Sequence, residues 1–269
     1  MEFSLEKPDP PMPCHFTSLL YWKTARTGLL LALLVGFTLP VRADTLTVAV
    51  ASNFAETLAT LAARFEQQSG HQIRIVRGSS GRHYAQIVNG APFDLFFSAD
   101  ARRPGELVSR LALPNDRLQT YALGRLVVWA LADKGGEAVQ ARLTALQFAT
   151  LAMANPRLAP YGQAAEEALQ ALGLADRIAA GPIRLVRGEN VAQAYQYVAT
   201  GNAQLGFVAL SQVLAAGGGA YWVVPEQLYQ PIVQQLVLLR DSAAGRDFLT
   251  YLASPAARSL IESAGYGLP

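Results

Sequence analysis

Residues 46–54 read Leu-Thr-Val-Ala-Val-Ala-Ser-Asn-Phe, and this stretch decides the fold. Its first five residues indicate a strand. From Phe54 onward, apolar residues recur with the 3.6-residue period of one helix face. A polar turn, Ala51-Ser52-Asn53, therefore joins a strand to a helix. Because Glu56 follows Asn53 by three residues, the pattern predicts a capping-box start in which Asn53 caps the helix.

The same order of strand, polar turn and helix recurs along the chain, and no internal sequence repeat is evident. Strand–helix alternation predicts an α/β protein whose sheets are mixed but mostly parallel and are flanked by helices. Strands are predicted at residues 46–50, 73–76, 94–97, 126–131, 150–154, 183–186, 205–209, 221–224 and 232–239. Helices are predicted from residue 54 and at 84–88, 162–172, 191–200, 247–252 and 255–263.

The first 43 residues have the pattern of a cleavable export signal. Lys23 and Arg26 precede the apolar run Gly28 to Leu39, and small residues allow cleavage after Ala43. A membrane span needs about 20 apolar residues, more than this run contains. A membrane anchor or a buried helix is the alternative, and translation could start at Met12. We expect a periplasmic protein with no membrane insertion after processing.

The composition after Ala43 excludes several classes of function. The chain carries a formal net charge of +2, and removal of the signal leaves it near neutrality, without the one-sign field of a nucleic-acid-binding protein. The single cysteine, Cys14, lies in the signal, so disulfides, thiol nucleophiles and Cys-ligated zinc are absent. His71 and His83 form no metal-ligand pattern. We expect a monomer that is not an enzyme, needs no cofactor and has no direct cation ligands.

The position of the last predicted strand indicates two lobes. Only about 30 residues follow residues 232–239, too few for a separate lobe, so this strand should return to the first one. Lobe 1 is predicted to comprise residues 44–124 and 227–269, and lobe 2 residues 125–226. The hinge would lie near Gly124 and Pro225, and the ligand cleft would lie between the lobes.

Four of the polar turns precede helices, two in each predicted lobe. In open parallel sheets such turns lie at the carboxyl ends of the strands, where ligands bind. Helix starts also offer unpaired N–H groups and a partial positive charge, which suit an anion. The alternative is that each turn is an ordinary N-cap. The four turns are Ala51-Ser52-Asn53, Gly78-Ser79-Ser80-Gly81, residues 155–162 and Arg187-Gly188-Glu189-Asn190.

The groups in these turns are nearly all hydrogen-bond donors, and Glu189 is expected to face solvent. A pocket of donors favours a fully deprotonated tetrahedral dianion such as sulfate, molybdate or tungstate. A protonated anion would place its proton against a donor, at a cost of about 1–3 kcal/mol. The predicted donors are the Ser52 and Ser80 hydroxyls and amides, the Tyr161 and Val191 amides, and the Asn53 side-chain NH2.

Several motifs together resemble the periplasmic molybdate-binding proteins that serve importers of the ATP-binding-cassette (ABC) class. They occur in the family's order across the chain after Ala43. The matching stretches are residues 48–53, 78–81, 90–100, 155–162, 188–191 and 265–267.

This resemblance implies the type II two-lobed periplasmic-binding-protein fold, a molybdate or tungstate ligand, and a membrane permease as partner. It also implies ligand contacts from Ser52, Asn53, Ser80, and the backbone N–H groups of Tyr161 and Val191. One departure concerns Ala209, which stands where another branch of the family places a ligand-binding tyrosine.

Two other functions remain open at this stage. The ligand could be sulfate or thiosulfate, because the sequence does not give the pocket radius. An enzyme on the same fold, such as the porphyrin-pathway deaminase, is the remote alternative. That activity needs a cysteine, which the chain after Ala43 lacks.

Other polar and aromatic residues near the turns are expected to have structural roles. Asp94 should cap a strand start and Asp100 a helix. His83 should lie on the surface of its helix. Solvated side chains are predicted for Arg77, Arg82 and Arg187, and core positions for Trp129 and Trp222.

Overall fold

The computed structural model describes Met1, residues 43–132 and residues 135–269. The expected export signal lies outside these residues, apart from its ends. Among the described residues, none of the helices has the length and apolar character needed to cross a membrane.

The strands of the described chain form two five-stranded sheets. The first has the order β2-β1-β3-β10-β4 and the second β7-β6-β8-β5-β9. The first contains β1 (Thr45–Ala51), β2 (Gln72–Gly78), β3 (Leu95–Phe97), β4 (Leu118–Gly124) and β10 (Ile232–Leu238). The second contains β5 (Leu126–Ala130), β6 (Thr150–Ala154), β7 (Arg184–Gly188), β8 (Leu205–Ala209) and β9 (Ala220–Val223).

Both sheets are mixed and share one plan. In the first, β1 pairs in parallel with β2 and β3, and β10 runs antiparallel between β3 and β4. In the second, β6 pairs in parallel with β7 and β8, and β5 runs antiparallel between β8 and β9. The predicted α/β class with two lobes is confirmed.

Five α-helices accompany each sheet in the part of the chain that is described. With the first sheet are α1 (Ala55–Ser69), α2 (Ser80–Val88), α3 (Arg102–Arg110), α9 (Ala243–Leu252) and α10 (Pro255–Ser263). With the second are α4 (Gly136–Thr144), α5 (Pro160–Ala171), α6 (Ala175–Ala180), α7 (Val191–Ala199) and α8 (Leu210–Ala216). The sequence analysis did not predict β4, α3, α4, α6 or α8.

The central strands of the first sheet, β1, β3 and β10, are largely buried on both faces. Val48 and Val50 of β1 pack into one apolar cluster with Phe54, whereas the intervening Ala49 packs into another with Phe96. This alternation follows the two-residue period of a strand. Because helices cover both faces of the sheet, the sequences of β1 and β3 are almost continuously apolar.

A short repeat relates the two sheets, contrary to the expectation that none exists. Residues 73–78 read Ile-Arg-Ile-Val-Arg-Gly, and residues 183–188 read Ile-Arg-Leu-Val-Arg-Gly. They form the edge strands β2 and β7, which hold the same place in the two sheets. Each copy is only six residues long, the two copies lie far apart, and the sequences around them are dissimilar. The repeat is therefore recognisable only from the equivalent places of the two strands in their sheets.

The glycine that ends each copy of the repeat has the same structural role in both lobes. The Gly78 carbonyl accepts the N–H of Ser52 at 2.9 Å, and the Gly188 carbonyl accepts that of Asn155 at 2.7 Å. A Cβ on Gly78 would lie 2.7 Å from the His83 ring. Each glycine therefore lets the next helix approach the end of the strand closely.

Candidate functional site

A small cavity lies between the lobes, at the carboxyl ends of β1, β2, β6 and β7. All five residues predicted to bind the ligand are brought together there, and no acidic or basic side chain is among the described residues that line it. No group of three or more potential metal ligands occurs in the described residues. The lining residues are Ala51, Ser52, Asn53, Gly78, Ser79, Ser80, Ala99, Ala159, Pro160, Tyr161, Asn190 and Val191.

The Ser80 hydroxyl is held as a donor toward this cavity. Ser80 is buried, and its Oγ accepts the backbone N–H of Ala99 at 3.0 Å. Since the oxygen receives this proton, the hydroxyl hydrogen remains available for another acceptor.

The Ser52 hydroxyl stands in a similar position. Its Oγ accepts the N–H of Ala192, in the opposite lobe, over a long 3.4 Å. The Ser52 amide, by contrast, was predicted to be free and is not, because it donates to Gly78 and prolongs the β1–β2 pairing.

No protein acceptor among the described residues faces the backbone N–H groups of four predicted ligand-binding residues, Asn53, Ser80, Tyr161 and Val191. They lie at the starts of α1, α2, α5 and α7, where the first amides of a helix have no partner within the helix. Two belong to each lobe. Their partial positive charge is directed at the cavity.

Neighbouring side chains cap two of these four helices, α2 and α7. Ser79 Oγ accepts the N–H of Arg82 at 3.3 Å, and Asn190 Oδ1 accepts that of Ala192 at 3.0 Å. The expectation that Asn53 caps α1 is wrong, since Phe54 holds the N-cap position and no side chain bonds there.

The Asn53 side chain instead points into a buried hydrogen-bond network. Its Nδ2 donates to Gln234 Oε1 at 2.8 Å and to Tyr266 Oη at 3.3 Å. Both amide hydrogens are thus engaged, in contrast to the expectation that they face the ligand. The donor that Asn53 leaves free is its backbone N–H.

The network continues through Gln234 to the second lobe. Tyr121 Oη lies 3.0 Å from both Gln234 Oε1 and the Ser98 carbonyl oxygen, and Gln234 Nε2 donates to Tyr161 Oη at 3.4 Å. Burial raises the pKa of the Tyr121 and Tyr161 hydroxyls well above 10, so both remain neutral. The sequence analysis did not predict a role for Gln234, although a glutamine inside an otherwise apolar strand indicates a buried polar contact.

Tyr266 joins the C-terminal segment to the site. Its hydroxyl donates to the Asn53 carbonyl at 2.7 Å and lies 2.9 Å from Ser211 Oγ. Burial raises its pKa as well. The Gly265-Tyr266-Gly267 motif had indicated this segment without indicating what the tyrosine contacts.

Several polar contacts join the lobes around the cavity. Arg82 Nη1 lies 2.9 and 3.1 Å from the two carboxylate oxygens of Glu189. The N–H of Gly81 donates to the Leu158 carbonyl at 2.9 Å. Arg82 and Glu189 were expected to be solvated separately. They pair because α2 and the turn before α7 meet across the cleft.

Arg103, which the sequence analysis did not single out, also bridges the lobes. It is buried, forms an ion pair with Asp100, and donates from Nη2 to the Arg157 carbonyl at 3.2 Å. Asp100 Oδ1 accepts the N–H of Arg103 at 2.9 Å, so it binds the first turn of α3 as expected, although Ala101 and not Asp100 holds the N-cap position.

The remaining structural expectations are met except at Trp222 and His83. Asp94 accepts the N–H of Thr47 at 2.7 Å, at the start of β3. Arg77 pairs with Glu56 at the surface, and Arg187 is exposed. Trp129 is buried as expected, whereas Trp222 is only half-buried and packs against the core from its edge.

His83 departs most from expectation, because it is buried rather than exposed. Its Nε2 lies 3.2 Å from the Val50 carbonyl and its Nδ1 3.2 Å from the Gln86 carboxamide. Donation to Val50 fixes the Nε2–H tautomer of a neutral ring. Burial lowers the His83 pKa below 6.5. The helix turns this residue beneath β2, where Gly78 leaves room for it.

A larger groove of about 840 Å³ opens beside the small cavity and shares four of its residues, Ser52, Asn53, Gly78 and Asn190. Its walls come from both lobes, through α1, α7, α8 and α10. The donors described above converge on the small cavity, so we place the candidate site there.

Comparison with known proteins gives a consistent assignment. The sequence model of the bacterial extracellular solute-binding protein family matches residues 46–267. The molybdate-binding protein ModA of Rhodobacter capsulatus is 41% identical over 249 residues, which cover 91% of this chain and 97% of that protein. ModA of Azotobacter vinelandii is 43% identical over 227 residues, with coverage of 82% and 89%.

Solved structures agree on the fold. The periplasmic molybdate-binding protein of Azotobacter vinelandii is 40% identical, with a TM-score of 0.76 and coverage of 83% of this chain and 99% of that one. The sulfate-binding protein SubI of Mycobacterium tuberculosis has a TM-score of 0.63 at 14% identity, with coverage of 84% and 86%, a likeness of fold alone.

Proposed function

Because this chain belongs to the bacterial extracellular solute-binding protein family, we propose that it captures molybdate between its lobes and delivers it to the membrane permease of an ABC importer. The observation that carries this proposal is the uncharged cavity onto which helix starts from both lobes converge. Relatives above 40% identity that are named as molybdate-binding proteins support the choice of ligand.

Six donors would hold the anion. They are the hydroxyls of Ser52 and Ser80 and the backbone N–H groups of Asn53, Ser80, Tyr161 and Val191. Three of these residues belong to the first lobe and two to the second, so the anion would draw the lobes together. The anion shifts the population toward the closed form only to the extent that it binds this form more tightly.

Six such donors are enough for micromolar binding of the anion. Hydrogen bonds to a charged group contribute about 1.5–3 kcal/mol each, so six give about 9–18 kcal/mol before costs. Desolvation of the dianion and ordering of the lobes offset a large part of this gain. A net value near −8 kcal/mol, which corresponds to micromolar binding, is within reach.

The donor set also predicts discrimination among anions. No carboxylate is available in the described cavity lining to accept a proton from a protonated anion. Hydrogen phosphate would therefore place its O–H against a donor, at a cost of about 1–3 kcal/mol. Molybdate and tungstate, which are fully deprotonated dianions of similar shape, should both bind.

The remaining features of the proposal follow from the same assignment. The protein acts in the periplasm after loss of residues 1–43, as a monomer and without catalysis. Lobe 1 comprises residues 44–124 and 227–269, and lobe 2 residues 125–226. The chain passes between the sheets at Gly124–Arg125 and again between β9 and β10, where a hinge would lie.

Calorimetric titration of residues 44–269 with molybdate, tungstate, sulfate and phosphate tests the proposal. We expect micromolar or tighter binding of molybdate and tungstate and much weaker binding of phosphate. Sulfate binding as tightly as molybdate would instead assign the protein to sulfate transport. Absence of binding to all four anions would refute the proposed site.

A further inference from the structure

We propose that Gln234 is a positioning residue for anion binding, because its carboxamide joins Asn53 of the first lobe to Tyr161 of the second. This inference rests on the proposed function. Gln234 itself does not line the cavity. It binds the side chains of two residues whose backbone N–H groups do.

The contacts of Gln234 use both ends of its carboxamide. Oε1 accepts from Asn53 Nδ2 at 2.8 Å and lies 3.0 Å from Tyr121 Oη, which is equally close to the Ser98 carbonyl oxygen. Nε2 donates to Tyr161 Oη at 3.4 Å. Gln234 has an exposed fraction of 0%, so water cannot replace these partners. A glutamine supplies an acceptor and a donor at one position, which an apolar residue cannot do.

The contact with Tyr161 lies where the chain passes between the lobes. The backbone N–H of Arg125, the first residue after β4, also donates to the Tyr161 hydroxyl. A Cβ on Gly124 would clash with Tyr161 Oη and would lie 2.7 Å from Gln234 Nε2. Gly124 thus leaves the space in which the two side chains meet.

The strand that carries Gln234 is irregular at this point. The pairing of β10 with β4 shifts register between Gln234 and Gln235. Gln234 is turned into the buried network, whereas Gln235 Nε2 donates to Thr120 Oγ1 at 3.1 Å within the first lobe. A β-bulge commonly redirects a side chain next to a functional site.

The consequence for binding follows from hydrogen-bond geometry. Hydrogen bonds weaken steeply when the donor moves or turns away from its acceptor. The amides of Asn53 and Tyr161 can serve one anion only if the two lobes keep a fixed relation. Gln234 connects these residues directly and therefore helps to set that relation.

Tyr161→Phe tests the inference, since it removes the hydroxyl and keeps the backbone N–H at the cavity. We expect the molybdate Kd to rise about 3- to 10-fold, as for loss of one hydrogen bond. Tyr229→Phe is the matched control. Tyr229 lies at the same hinge and accepts the N–H of Leu126 at 3.3 Å, but no described contact joins it to Gln234. This control should change the Kd less than about twofold.

A double-mutant cycle separates positioning from general stability. Gln234→Met should raise the Kd by a similar factor, and Tyr161→Phe combined with it should add little, because both remove the same connection. Thermal unfolding of the anion-free proteins provides the second readout. Across the three single variants, the fold-change in Kd should not correlate with the decrease in melting temperature.

Each outcome decides the inference. An unchanged Kd for Tyr161→Phe overturns it, and this variant suffices if Gln234→Met does not fold. Equal effects of Tyr161→Phe and Tyr229→Phe also overturn it. If the wild-type protein binds a different oxyanion, the proposed function fails while the same comparison, made with that anion, still tests Gln234. If it binds none, both fail.

Discussion

Ser80 Oγ accepts the backbone N–H of Ala99 at 3.0 Å, and this contact orients the hydroxyl of a residue that is only 1% exposed. Because the Ser80 oxygen accepts this N–H, its own hydroxyl hydrogen is available to donate to an anion in the cavity. Ser80 therefore supplies a hydroxyl in addition to its helix-start amide.

Replacement of Ser80 by alanine should weaken molybdate binding by about 1–3 kcal/mol, the usual loss for one hydrogen bond to a charged partner. Calorimetry measures the change. Ser254→Ala is the control, because Ser254 only caps α10 by accepting the N–H of Ala257. An affinity for Ser80→Ala equal to that of the control would remove Ser80 from the site.

Loss of the interlobe ion pair should have a small effect. Arg82→Ala is expected to weaken molybdate binding by about 0.2–1 kcal/mol, since both partners are partly exposed and such pairs are weak. The effect should shrink at high salt. Arg102→Ala is the control, because Arg102 pairs with Glu106 on its own helix. A salt-independent loss would contradict the assigned role.

Gly124→Ala should destabilise the protein by about 1–3 kcal/mol, because the added methyl group overpacks the space beside Tyr161 and Gln234. Urea unfolding measures this change. Gly105→Ala, within α3, is the matched control, since its Cβ would meet no atom within 4 Å. That control should be neutral or stabilising by about 1 kcal/mol. Equal effects of the two substitutions would argue against crowding at Gly124.

The buried His83 predicts a pH-dependent stability. Burial lowers its folded-state pKa below the 6.5 of the unfolded chain. As the pH falls through 6.5 toward the folded-state pKa, the unfolded state binds a proton that the folded state does not. The free energy of unfolding should therefore fall, by at most about 1.4 kcal/mol per pH unit.

Comparison with His83→Gln isolates this contribution, because the other titrating groups are the same in both proteins. Urea unfolding at several values between about pH 7 and pH 5 should give a steeper decline for the wild type than for the variant. Parallel curves would mean that His83 protonates as readily in the folded protein as in the unfolded one.

The sequence was most informative where local signals agree. The predicted bounds of β6, β8 and α10 coincide with those observed, since a buried apolar strand and a proline-started helix are each recognisable alone. By contrast, β4 (Leu118–Gly124) was missed. Its sequence mixes polar and apolar residues without a clear strand pattern, and it becomes a strand by pairing with β10, which is distant in the chain.

At the site too, local signals could be predicted from the sequence and long-range contacts could not. Ser80 and Val191 could be identified because helix starts have recognisable turn chemistry. The direction of the Asn53 side chain could not, since its partners Gln234 and Tyr266 lie about 200 residues away. His83 was misplaced for a related reason. The helical period alone does not tell which side of α2 faces β2.

The near-identical edge strands β2 and β7 have a consequence for the shape of the guest. Their helices, α2 and α7, begin at Ser80 and Val191, so each lobe presents a corresponding helix-start N–H group to the same cavity. An ion with four identical oxygens offers the same acceptor to both lobes. Thiosulfate, in which sulfur replaces one oxygen, would offer one of the donors a poorer acceptor. The fold itself thus favours regular tetrahedral ions over irregular ones.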